Sequence, residues 1–200
     1  CEPPYSLGIV YLELDKPVDA ITQFNRAIKL APEYAAAMAN RGLAFYRVGN
    51  TDLAIKNLER ALALSPREIA YAENLTLVMR DAKRDEPEIE QLWRRFLEKS
   101  PDVADAWVIL ADSFDRQNKK PDEVDALQHA IKLEPANAVH HVRLAISYAE
   151  QEKYDAANAE LARATELDPS SEAAKSAKQA IDAARAGKQP PSTPSIDPKR

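Results

Sequence analysis

The side chains best equipped for chemistry are three histidines, His129, His140 and His141, and a single cysteine, Cys1. A metal centre needs His, Cys or carboxylate ligands that converge at short, regular spacing. His140 and His141 are adjacent, and on a helix adjacent side chains diverge by about 100°. No cysteine or carboxylate stands at ligand spacing from either one. One cysteine excludes a disulfide framework and a thiolate cluster. There is no glycine-rich phosphate loop and no serine or cysteine in a nucleophile elbow. The acidic pair Asp122-Glu123 falls at a helix start, where carboxylates favour the helix dipole. The expectation is a protein with no catalytic residues, no metal site and no cofactor, and so not an enzyme.

Composition narrows the remaining classes. The chain carries a net charge of −5, with 30% charged and 45% hydrophobic residues. That is enough apolar content for a packed core. It lacks the basic stripe that displaces counterions from a nucleic acid, so no nucleic-acid partner is expected. No apolar run approaches the ~18 residues that suggest a membrane-spanning helix, so no transmembrane segment is expected either. Only four glycines occur, and alanine is abundant, which favours helix. The chain begins with Cys1 rather than Met, as a processed form or a fragment does.

The elements that would position any binding residues emerge from the prolines. Pro32, Pro66, Pro101, Pro135 and Pro169 are spaced 34, 35, 34 and 34 residues apart. They end the similar stretches AIKLAP, ALALSP, FLEKSP, AIKLEP and ATELDP. Proline cannot continue a helix, so each marks the end of one helical unit. Turn residues recur inside each unit, as in Asp15-Lys16-Pro17, Gly49-Asn50-Thr51, Asp85-Glu86-Pro87 and Lys120-Pro121, where second helices begin.

This 34-residue pattern resembles the tetratricopeptide repeat, W-x2-L-G-x2-Y, then A-x3-F, then P. Leu7, Gly8, Tyr11, Ala20, Phe24, Ala27 and Pro32 fill it in the first copy. Gly42, Phe45, Ala54, Leu58, Ala61 and Pro66 fill it in the second, with Arg41 departing from the leucine position. Trp107, Leu110, Ala111, Phe114, Leu127, Ala130 and Pro135 fit the fourth, with Glu123 in an alanine position. Leu144, Ala145, Tyr148, Ala157, Leu161, Ala164 and Pro169 fit the fifth, with His141 in the tryptophan position. In the third, Leu75, Thr76 and Met79 align, and the second helix then needs one extra residue in Lys83–Glu86. Ile89 and Phe96 replace alanines there, so this hairpin is expected to splay. Trp93 and Trp107 occupy packing positions and are expected in the core.

The resemblance implies an all-α fold, a right-handed superhelical solenoid of five helix-turn-helix hairpins. The hairpins span about 1–34, 35–68, 69–103, 104–137 and 138–171. A capping helix over 172–186, stopped by Gly187, completes a domain of residues 1–187. Residues 188–200 are expected to be a disordered tail, given their Pro and Ser content.

The resemblance further implies a concave groove, lined by first helices, that binds a peptide or a partner helix. The residues facing it are Tyr5 and Ile9 in the first repeat, and Asn40, Leu43, Tyr46 and Arg47 in the second. Asn74, Leu77 and Asp81 follow in the third, Asp105 and Asp112 in the fourth, and Arg143 in the fifth. Asn40 and Asn74 share one register position and could pair with a ligand backbone; the alternative is that they are solvated or bonded within the protein. The first two repeats are apolar and the next two acidic, with Arg80 and Arg116 nearby. That suits a ligand with apolar and basic parts, unless the charges merely pair among themselves. The Lys/Asn/Arg pattern of family members that clamp a terminal carboxylate is missing, since Tyr5, Ile9, Asn40, Ala70 and Asn74 hold those positions.

The expected function is a protein-interaction scaffold with a protein or peptide partner. One alternative is a bacterial lipoprotein assembly factor, of secretion or pilus type, anchored by lipid on Cys1. Another is the repeat arm of a larger protein. A cytoplasmic location is expected, or a periplasmic, membrane-anchored one if Cys1 carries lipid.

Overall fold

A computed structural model describes residues 2–188. Cys1 and residues 189–200, where the lipid-anchor and most of the disordered-tail expectations fall, lie outside the described residues. Eleven helices and no strand occur among those residues. None is long and apolar enough to cross a membrane.

The chain forms two compact units that part between Gln117 and Asn118. In the first, α1 (Glu2–Glu13), α2 (Pro17–Leu30), α3 (Ala35–Arg47), α4 (Thr51–Leu64), α5 (Ile69–Asp81), α6 (Glu86–Lys99) and α7 (Ala104–Arg116) stack in chain order. The first helices α1, α3 and α5 are also neighbours of one another. The second unit holds α8 (Lys120–Leu133), α9 (Ala138–Glu150), α10 (Tyr154–Leu167) and α11 (Glu172–Lys188), with α9 packed against the other three.

The same local code ends every first helix. Asp15, Gly49, Lys83, Asn118 and Glu152 all adopt positive φ, between 53° and 80°. Each follows a first helix in the left-handed conformation that satisfies its last carbonyls. The accompanying bonds Lys16 N–H to Tyr11 O, Asn50 N–H to Phe45 O and Arg84 N–H to Met79 O measure 2.8, 2.9 and 2.9 Å. Proline stands in the first turn of the second helices α2, α6 and α8, and the Asn50 side chain accepts from Leu53 N–H at the start of α4.

Helix approach within the first two hairpins depends on a small residue facing a large one. A Cβ on Gly8 would lie 2.5 Å from the Phe24 ring, and one on Gly42 would lie 3.0 Å from Leu58. Phe24 and Leu58 are fully buried. The third hairpin breaks this rule. Thr76 stands where the glycines stand, and Ile89, Trp93 and Phe96 fill the space as buried side chains. The backbones of α5 and α6 stay farther apart than in the hairpins α1–α2 and α3–α4. The extra residue falls after Lys83: α6 starts three residues beyond the left-handed position, whereas every other second helix starts two beyond it. Between this hairpin and α4 a cleft of about 630 Å³ opens, lined by Leu62, Leu75, Met79, Leu92 and Phe96.

Two departures from the consensus are absorbed by polar pairing. Arg41 donates from Nε to Asn57 Oδ1 at 2.8 Å and from Nη1 to Asn25 Oδ1 at 2.7 Å. Asn57 in turn donates to the Leu53 carbonyl at 2.7 Å. Glu123, buried in its alanine position, pairs with Lys120 at 3.1 Å, and Lys120 also reaches Glu150. At the far end α11 lays Ala174, Ala177 and Ile181 on the core of α9 and α10 and exposes most of its other side chains.

Two expectations need correction. The helix α11 runs through Gly187, because glycine weakens a helical turn by only about 1 kcal/mol and does not forbid it. Trp107 is only half-buried, since its Nε1 donates to the Pro101 carbonyl at 3.0 Å and holds the indole edge at the surface. Trp93 is fully buried.

Candidate functional site

The first helices of the first unit set the register of the predicted residues. On a helix, residues three, four and seven apart share a face. Asn40, Leu43 and Arg47 therefore align on α3, with Tyr46 alongside, as do Asn74, Leu77 and Asp81 on α5, and Asp105 and Asp112 on α7. Because α1, α3 and α5 are neighbours, equal register positions form rows across them. One row is apolar: Ile9, Leu43 and Leu77, the last 53% exposed although it is a leucine. Beside it runs a row of Ser6, Asn40 and Asn74. Tyr46 is half-buried, and Asp81 and Asp105 are exposed. Arg143 lies on α9 in the second unit. None of these residues lines the cleft between α4 and α6.

Several of the polar groups are already engaged. Asn40 Nδ2 donates to Tyr5 Oη at 3.0 Å, so part of its amide serves the fold. Asn74 makes no side-chain hydrogen bond among the described residues. Arg47 Nη1 donates to the Leu12 carbonyl at 2.6 Å and lies 4.0 Å from Asp15. It thus caps the end of α1. The arginines expected to balance the acidic stretch are taken by Glu86, at the start of α6. Its carboxylate is 3.2 Å from Arg80 and 3.8 Å from Arg116, and it accepts from Ser113 Oγ at 3.1 Å.

The sequence reading missed two aromatic residues beside this face. The Tyr5 and Tyr34 rings lie 4.8 Å apart, and Tyr5 also meets Phe24 at 6.0 Å. Tyr71, in the first turn of α5, joins them electrostatically. Burial raises its phenol above the usual range, with smaller contributions from Glu68, Tyr5 and Tyr34. Their shared signal is a tyrosine at or near the start of three successive first helices.

The histidines are occupied within the second unit. His141 Nδ1 lies 2.7 Å from Glu160, and His140 Nε2 lies 3.0 Å from Glu134. Hydrogen bonds from Asn137 and then His140 lower the Glu134 pKa.

Stacked two-helix hairpins with small-to-large packing and a left-handed residue after each first helix define a helical repeat protein that presents one face of its first helices. The tetratricopeptide repeat profile matches residues 5–69 and 89–138, more than half of the chain. The chain belongs to the tetratricopeptide repeat family, whose members serve as protein-interaction scaffolds.

Solved structures share the fold. A crystal structure of MamA is 17% identical over 86% of this chain and 96% of its own, with a TM-score of 0.66. MamA from Desulfovibrio magneticus RS-1 is 16% identical over 84% and 95%, again with a TM-score of 0.66. YrrB, described as a TPR protein with an unusual peptide-binding site, is 16% identical over 89% and 91%, with a TM-score of 0.67. No curated protein sequence matches the chain.

Proposed function

We propose that the first-helix face of the first unit is a groove that binds an extended peptide or a partner helix. The apolar row Ile9, Leu43 and Leu77 carries this reading. Singly exposed apolar residues are ordinary, but a part-exposed row continued across three neighbouring helices is a docking surface. Asn74 beside it offers a donor and an acceptor to a ligand backbone. Glu86 already holds Arg80 and Arg116, so the exposed acids Asp81 and Asp105 favour a ligand with a basic part.

The test is peptide selection from a random library on the immobilised full chain, followed by titration of the selected peptides. Leu43→Asp and Leu77→Asp are expected to weaken them roughly tenfold or more, the cost of placing a charge in an apolar contact. Asp81→Lys with Asp105→Lys should reduce the affinity of basic ligands. Selected peptides that bind all variants equally would remove the groove from the account.

A further inference from the structure

The second helices of the first unit leave one gap bridged and the next one open. Between α2 and α4, Arg41 reaches out from α3 and donates to Asn25 Oδ1 and Asn57 Oδ1 at 2.7 and 2.8 Å. One repeat on, the same register positions hold Leu75, Glu59 and Leu92. Leu75 has no donor and is too short to bridge two helices, and the cleft of about 630 Å³ lies at this place, between α4 and α6. Glu59 thus stands where Asn25 stands but has no guanidinium to meet. Its side chain makes no ion pair or hydrogen bond among the described residues.

The cleft is apolar inside and charged at its rim. Leu62, Leu75, Leu92 and Phe96 line it. On α6, Glu88, Arg95 and Lys99 follow one another at spacings of seven and four residues, so they share one edge of the helix. All three line the cleft and are exposed, as is Glu59 on the α4 side. Glu88 and Lys99 make no ion pair among the described residues. Arg95 Nη2 donates only to Gln91, at 3.4 Å. Glu88 therefore marks the end of the cleft where α6 begins, and Arg95 and Lys99 the end where it stops.

These dimensions and charges fit a helix. Glu88 to Lys99 spans three turns, roughly 16 Å. A helix about 10 Å across, sunk halfway over that length, displaces on the order of 600 Å³. Acidic residues are stabilised in the first turn of a helix and basic residues in its last. A helix running opposite to α6 brings its acids to Arg95 and Lys99 and its bases to Glu59 and Glu88. An aliphatic carboxylate would meet the cations and leave both glutamates bare.

We propose that the cleft between α4 and α6 docks an amphipathic helix of a partner protein, apolar toward Leu75 and Phe96, acidic in its first turn and basic beyond it. The site lies between second helices, shares no residue with the first-helix groove and does not depend on it.

The probe is a displayed library of helices about 16 residues long, with leucine fixed along one face and Glu, Lys, Gln or Ala elsewhere. It is selected on the immobilised full chain carrying Leu43→Asp and Leu77→Asp, which spoil the apolar row of the groove. Retained peptides are then titrated by fluorescence anisotropy. They should carry Glu at the N-terminal end and Lys beyond it. Ala63→Trp should weaken them tenfold or more. Ala63 lines the cleft and is exposed, so the indole fills the cleft without entering the core, which an unchanged thermal melt checks. Glu88→Lys with Lys99→Glu should weaken them roughly fivefold, the scale of two rim ion pairs, and should favour peptides with the charge order reversed.

No peptide with saturable binding below about 1 mM overturns the proposal. So do peptides indifferent to Ala63→Trp, or with no preferred order of charges. Binding of dodecanoate that Ala63→Trp blocks, with no helix retained, assigns the cleft to an acyl anion and overturns it as well. None of these outcomes bears on the groove, which Leu43→Asp and Leu77→Asp test separately.

Discussion

Trp93 Nε1 donates to Thr76 Oγ1 at 2.9 Å, and that hydroxyl donates in turn to the Ala72 carbonyl at 2.8 Å. Thr76 occupies the position that glycine holds in the first two hairpins, and Trp93 the position of Phe24 and Leu58. The pair explains the third hairpin. A branched side chain on α5 keeps α6 at a distance, a large indole fills the space, and the threonine hydroxyl satisfies the indole N–H that the large residue brings inside.

Thr76→Val tests that account, because it keeps the shape and removes the acceptor. Leaving a buried N–H without a partner costs about 1–3 kcal/mol. Urea unfolding should show that loss with little change in slope. Unchanged stability would mean that the hydrogen bond contributes nothing to the hairpin.

Arg41 links α3 to both neighbouring second helices through Asn25 and Asn57. Burial lowers its pKa, so the site works against the charge and the two amide oxygens compensate for it. Arg41→Ala should destabilise by about 1.5–3 kcal/mol, the scale of hydrogen bonds to a charged group. Replacing Arg41 together with its buried partner, Arg41→Leu with Asn57→Leu, should recover most of that loss, since the apolar pair leaves no buried group unpaired and the exposed Asn25 turns to water. A double variant no better than Arg41→Ala would show that packing, not hydrogen bonding, holds the site.

Four of the five first helices are followed by a side-chain-bearing residue in the left-handed region, and only Gly49 avoids that strain. Lys83→Gly and Glu152→Gly should each raise stability by about 1 kcal/mol through relief of the Cβ clash. Gly49→Ala should lower it by a similar amount. A thermal melt of the three variants reads all of these at once.

Acid should loosen the second unit through two carboxylates. Glu134 is held below the usual range by hydrogen bonds from Asn137 and then His140, and Asp168 by hydrogen bonds from the Ser170 hydroxyl and backbone. A carboxylate depressed in the folded state adds stability above its unfolded pKa, about 4, and that contribution is lost as the pH falls through the folded value. Stability measured from pH 7 down to pH 3 should therefore decline at the acid end. Glu134→Gln with Asp168→Asn should decline less steeply than the parent, and equal slopes would exclude these groups.

The fold was legible because every hairpin repeats the same local instructions. A proline closes each unit, a left-handed turn position separates the two helices, and outside the third hairpin a small residue faces a large one. These signals act over a few residues, so a linear reading captures them. The extra residue near Lys83 was legible for the same reason: it shifts Ile89, Trp93 and Phe96 out of phase with the preceding copies.

The face of the first helices was legible only as a list of positions. Periodicity places Asn40, Arg47 and Arg80 on one side of their helices and is silent on what they touch. Asn40 meets Tyr5 and Arg47 meets the Leu12 carbonyl, each 35 residues back, and Arg80 meets the start of the next helix at Glu86. Such contacts depend on how far each helix is displaced against its neighbour, and helical spacing alone does not encode that displacement. The sequence by itself determined the helical hairpins and the register of residues along their first helices. Only the tertiary structure decided which polar side chains in those rows the fold consumes, and that the Tyr5 and Tyr34 rings meet, because both follow from packing between repeats.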